Sequence, residues 1–123
     1  MSKILIVEDN EMNMRLFSDL LKSKGYDVFE CPEGKNALKM TQHIRPDLIL
    51  MDIQMPEVDG LTATKMIRQV PEIAQTKIVA ITAFVLDGDS ERILAGGCDD
   101  YIAKPISIPS FFKTIEKHLQ ESK

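Results

Sequence analysis

Hydrophobic and polar positions alternate along this chain between two kinds of segment. Short apolar runs, "KILIV" (3–7), "VFEC" (28–31), "DLILM" (47–51), "KIVAI" (77–81) and "YIA" (101–103), have the length and side-chain character of β-strands. Amphipathic stretches with helical spacing begin near Glu11, Gly34, Leu61, Asp87 and Ser110. In the first of them Leu16, Phe17, Leu20 and Leu21 make one stripe, Asn10 suits the N-cap, and Gly25 suits a left-handed stop. In the last, Phe111, Phe112, Ile115 and Leu119 repeat the pattern. The periodicity predicts a strand followed by a helix, five times over.

The strands also differ among themselves. "ILIV", "LILM" and "IVAI" are apolar at consecutive positions, which suits strands covered by helices on both faces of a parallel sheet. "VFEC" and "YIA" are shorter or more mixed and suit the edges. Right-handed crossovers then favour an α/β, doubly wound, flavodoxin-like sheet in the order 2-1-3-4-5. Such sheets bind ligands beyond the carboxyl ends of the strands, where the winding reverses between the first and third.

Composition narrows the class. A chain of 123 residues with 44% hydrophobic content is expected to form one domain, 1–123, with no output domain attached. The net charge of -4 and the lack of a dense Lys/Arg block argue against nucleic-acid or anionic-membrane binding. Cys31 and Cys98 show no CxxC spacing and no His cluster, so they are read as reduced thiols. No run approaches the ~20 apolar residues that span a bilayer, and the N-terminus does not read as a signal peptide; a cytoplasmic protein is expected.

The acids then stand out. Glu8 and Asp9 follow the first strand and Asp52 follows the third, so the expected sheet order brings three carboxylates to one crevice. Mutual repulsion leaves two explanations: a hard cation held through oxygen, or one carboxyl kept protonated. The absence of nearby His and Cys favours Mg²⁺ over zinc. Thr82 closes the fourth strand and Lys104 the fifth, which adds a hydroxyl and an ammonium on the same edge. Acids, a hydroxyl and a lysine are the equipment of phosphoryl handling.

With "EDN" at 8–10, "MDIQMPEVDG" at 51–60, "TA" at 82–83 and "KP" at 104–105, essentially the whole chain resembles the receiver domain of two-component response regulators. The strings "EDNEMNMRLFSDLL", "ITAF" and "GGCDDYIAKPIS" are similar to the DivK type of stand-alone receiver of bacterial cell-cycle control. The resemblance implies that Asp52 accepts a phosphoryl group from a phosphohistidine on a sensor histidine kinase or phosphotransfer protein. The receiver itself would catalyse that step and a slow autodephosphorylation. Asp9, Asp52 and the Gln54 backbone carbonyl would ligate Mg²⁺, with Glu8 reaching it through water. Lys104 would pair with the phosphoryl group, and its bond to Pro105 is expected to be cis. Pro56 and Gly60 would shape the loop after Asp52.

Phosphorylation replaces one carboxylate charge with about two negative charges and brings new acceptor oxygens. That change is expected to draw Thr82 inward and let Tyr101, the switch aromatic in the family, turn from exposed to buried. A downstream protein would read the face of the fourth helix, fifth strand and fifth helix, with Tyr101, Ile106, Ile108 and Phe111 or Phe112 as candidate contacts. The fourth helix, with few apolar anchors and Gly88 near its start, is expected to be among the less stable elements. Gln54 and Phe84 would flank the path of a hydrolytic water, and bulky Phe84 is expected to slow its attack. Two rivals differ in class: a haloacid-dehalogenase-type phosphohydrolase, whose DxDx[TV] motif after the first strand is missing, and a pseudo-receiver that is never phosphorylated.

Overall fold

The computed structural model describes residues 2–55, 58–83 and 89–121, the side chains of residues 89, 90 and 121 excepted. Pro56, Phe84, Asp87 and Gly88 therefore lie outside the described residues. Five strands, β1 (Lys3–Val7), β2 (Asp27–Cys31), β3 (Leu48–Asp52), β4 (Lys77–Thr82) and β5 (Asp100–Ala103), pair in parallel in the order β2-β1-β3-β4-β5. The helices are α1 (Glu11–Ser23), α2 (Ala37–Ile44), α3 (Gly60–Arg68), α4 (Asp89–Ala95) and α5 (Ile108–Glu121). The fold is the doubly wound α/β sheet that the strand pattern predicts.

The consecutive apolar residues of the central strands divide by parity between two cores. Leu5, Val7, Ile49, Met51, Ile78 and Ala80 pack with Ala37 of α2, Ala63 and Ile67 of α3, and Ile93 of α4. Ile4, Ile6, Leu48, Leu50, Val79 and Ile81 pack on the other face with Met14, Phe17 and Leu21 of α1 and Phe111, Ile115 and Leu119 of α5. Every residue of β3 is buried, Asp52 included. Among the described residues no helix is long and apolar enough to cross a membrane.

Local chemistry sets the ends of α1. Asn10 is extended at the N-cap, and its Oδ1 accepts the Asn13 N–H at 2.9 Å. At the other end Gly25 takes φ +85° while its N–H reaches the Lys22 carbonyl at 2.9 Å. The buried stripe of α1 is Met14, Phe17, Ser18 and Leu21, not the four residues expected: Leu16 is 43% exposed and Leu20 half-buried. Leu16 lies between the i, i+3, i+4, i+7 positions that face the sheet. Two further helix starts differ. A single 3-10 turn, Gly34–Asn36, precedes α2, and α5 begins at Ile108 because Pro109 fits a first helical turn whose N–H groups need no partner in the helix.

Candidate functional site

The site lies where β1, β3, β4 and β5 end. Val7 pairs with Met51, so Glu8 and Asp52, one residue beyond each, emerge side by side. The N–H of Asn10, freed by its cap conformation, donates to Glu8 Oε2 at 3.1 Å and turns that carboxyl inward. Glu8 and Asp52 are buried while Asp9 is exposed, and the three offer carboxylate oxygens within 4.8 Å of one another.

Asp52 is anchored by its own loop. Its Oδ1 accepts the Gln54 N–H at 3.0 Å, and Lys104 Nζ stands 3.6 Å from the same oxygen and 3.8 Å from Glu8 Oε1. Gly60 seals the loop from behind: its N–H bonds the Ile53 carbonyl at 3.1 Å, and a Cβ there would lie 2.2 Å from the Asp52 carbonyl oxygen. Only glycine fits that approach. Thr82 is buried at the end of β4, and its carbonyl accepts the Lys104 N–H at 2.8 Å; the Lys104–Pro105 peptide bond is cis. Glu8, Asp9, Asp52, Thr82 and Lys104 thus share one edge of the sheet.

Charge is unevenly distributed there. Burial foremost, then the neighbouring Asp52 carboxylate, pushes the Glu8 carboxyl up to about 8, against the opposing pull of the Asn10 N–H and Lys104. Glu8 Oε1 is buried without a hydrogen-bond partner. An orphaned carboxylate oxygen beside two more acids, with oxygen donors only, fits a hard cation such as Mg²⁺ rather than zinc. Without a cation, the second explanation of the acid cluster operates: one carboxyl keeps its proton.

The expected output residues do not gather on one face. Tyr101 is half-buried against the core under α3 and α4. Ile106 and Pro105 instead line a groove of about 280 Å³ with Asn13, Leu16 and Phe17 of α1. Phe111 is fully buried and stacks on Phe17 at 5.8 Å, and Phe112 lies beneath the Lys24 ammonium at 4.8 Å. Both α5 aromatics therefore belong to the α1 side, because the helix turns its apolar stripe onto the sheet beside α1. Ile108 remains 48% exposed.

Two contacts escape the sequence patterns. Gln54 Oε1 accepts the Ala83 N–H at 3.2 Å, and His118 Nε2 meets Asp100 Oδ2 at 2.9 Å. Both join segments whose proximity follows from register, which no local motif encodes.

The family model of the response regulator receiver domain matches residues 4–116. The polar-differentiation response regulator DivK of Brucella anthropi is 49% identical over 119 residues, 97% of each chain. DivK of Brucella ovis is 48% identical over the same coverage. Among solved structures, the receiver domain of the sensor histidine kinase PA1611 from Pseudomonas aeruginosa, which carries a magnesium ion in its active-site cleft, superimposes with a TM-score of 0.89 at 35% identity, covering 97% of this chain and 98% of that one. Chemotaxis protein CheY4 of Vibrio cholerae superimposes with a TM-score of 0.89 at 27% identity, covering 95% and 98%. With the family model spanning nearly the whole fold and the acids, threonine and lysine gathered at its switch point, the chain belongs to the response regulator receiver family.

Proposed function

We propose that Asp52 accepts a phosphoryl group from a phosphohistidine on a sensor histidine kinase or histidine phosphotransfer protein, and that the protein serves cell-cycle or developmental control in the cytoplasm. The observation that carries this reading is the buried Asp52 carboxylate, 3.6 Å from Lys104 Nζ and flanked by Glu8 and Asp9. One Asp52 oxygen forms the new O–P bond while the N–P bond of the donor breaks and its electron pair returns to the imidazole nitrogen. Lys104 balances charge on the transferred group, and the Thr82 hydroxyl offers it a donor. Glu8, Asp9, Asp52 and the Gln54 carbonyl would hold Mg²⁺, which supplies positive charge to the phosphoryl oxygens. The product carries about two negative charges where one stood, enough to bias β4, α4 and Tyr101 toward a second arrangement. A downstream protein would read that arrangement on α4, β5 and the start of α5. The DivK relatives, named as polar-differentiation response regulators and matched over 97% of their own length, support the cell-cycle or developmental assignment.

Incubation with acetyl phosphate, followed by intact mass, tests the acceptor. Wild type is expected to gain one phosphoryl group only when Mg²⁺ is present, and Asp52→Asn to gain none. A wild type that stays unmodified under all conditions would identify a pseudo-receiver.

A further inference from the structure

We propose that the Gln54 side chain is a latch that holds the unphosphorylated site closed by occupying the Ala83 N–H, and that a phosphoryl group must displace it. The proposal rests on the reading of Asp52 as acceptor. Gln54 touches the site from two directions. Its main-chain N–H donates to Asp52 Oδ1 at 3.0 Å, and its side-chain Oε1 accepts the Ala83 N–H at 3.2 Å. The side chain therefore bridges the loop after β3 to the loop after β4, across the edge where Asp52 and Thr82 emerge.

The strand register explains why this N–H matters. Asp52 pairs with Ile81, and the Ile53 N–H bonds the Ile81 carbonyl at 3.1 Å, so β3 and β4 run together up to the acceptor. Ala83 is the first residue past β4, and its N–H is the donor next in line beyond Thr82. A phosphoryl group on Asp52 extends beyond the strand ends toward the same rim. Its anionic oxygens are stronger acceptors than a neutral amide oxygen, so they would take the N–H from Gln54. Releasing Gln54 also unties Ala83, just past β4, from the loop after β3. The latch thus opposes acquisition of the anion and couples its arrival to release of Ala83 at the end of β4.

Beryllofluoride affinity at saturating Mg²⁺, together with amide exchange at Ala83 by NMR, tests the latch. Gln54→Met keeps the side-chain length and removes the acceptor; it is expected to bind beryllofluoride about three- to tenfold more tightly, the worth of one neutral hydrogen bond. In the same variant the Ala83 amide of the free protein is expected to exchange faster. Gln54→Glu retains an acceptor and adds a negative charge, so it is expected to bind beryllofluoride more weakly than wild type. Because the added charge of Gln54→Glu repels the anion by itself, the tighter binding of Gln54→Met is the result that a side chain that merely packs would not produce. Wild-type binding with Gln54→Met unchanged or weaker, or with Ala83 exchange unaltered, overturns the latch alone. A wild type that takes up no beryllofluoride overturns the receiver reading and the latch with it.

Discussion

Glu8 follows the strand beside the acceptor's and enters the site with its proton retained. Its ordinary pKa of 4.5 applies to the unfolded chain, and burial beside Asp52 raises it to about 8 in the metal-free fold. Between those values the folded state holds a proton that the unfolded chain has released. The contribution to stability is fully present below pH 4.5 and is lost as the pH climbs through about 8. Thermal melts of the metal-free protein should therefore show stability falling by about a few kcal/mol across that window. Glu8→Gln should flatten the slope, because an amide has no proton to surrender. An equally steep slope in the variant would locate the effect in another group.

Among the elements, α3 is tied to the segments before β4 and after α4 through Arg68 at its last turn. The guanidinium donates to the Gly97 carbonyl at 2.9 Å, to the Ala74 and Thr76 carbonyls at 2.8 and 2.5 Å, and to Asp99 Oδ2 at 2.9 Å. Asp99 Oδ2 in turn accepts the Ile78 N–H at 2.8 Å, so the start of β4, the turn after α4 and the end of α3 form one network. It lies at the amino-terminal edge of β4, opposite the site, and anchors the end of α4 away from the phosphoryl group. Arg68→Ala leaves several of these backbone acceptors without a donor and is expected to cost about 2–3 kcal/mol in chemical denaturation, while Asp52 still accepts a phosphoryl group. Loss of phosphoryl uptake in a folded variant would show that the network also shapes the site.

At the scale of the whole molecule, stability depends on two cores separated by the sheet. Phe111 joins α5 to α1 across one of them, fully buried and stacked on Phe17 at 5.8 Å. Phe111→Ala should cost about 3–5 kcal/mol, from lost burial and the cavity left between two helices. Phe112, half-buried beneath Lys24, should cost much less when truncated. Urea melts of the two variants would separate them; equal losses would contradict the orientation of α5. The site sits at the rim of the sheet, where buried Glu8, Asp52 and Thr82 meet the loops at the carboxyl ends of the strands, and there a change of charge can move the chain without opening either core.

Strand order, the centrality of β1, β3 and β4, and the convergence of Glu8, Asp9, Asp52, Thr82 and Lys104 were all legible in the sequence. They follow from local periodicity, from continuous apolar runs that demand cover on both faces, and from the position of each polar residue where a strand stops. The rotation of each helix about its axis was not legible in the same way. Leu16 reads as core and is 43% exposed, while Phe111 and Phe112 read alike and meet different surroundings. Nor does any motif mark the bonds from Gln54 to Ala83 or from His118 to Asp100, which depend on register between strands and helices far apart in the chain. The protonation of Glu8 is likewise a property of burial and a neighbouring carboxylate. The order of apolar and polar residues determined the fold and the inventory of the site; only the tertiary structure decided which side chains meet, because contact and desolvation arise between segments that the sequence keeps apart.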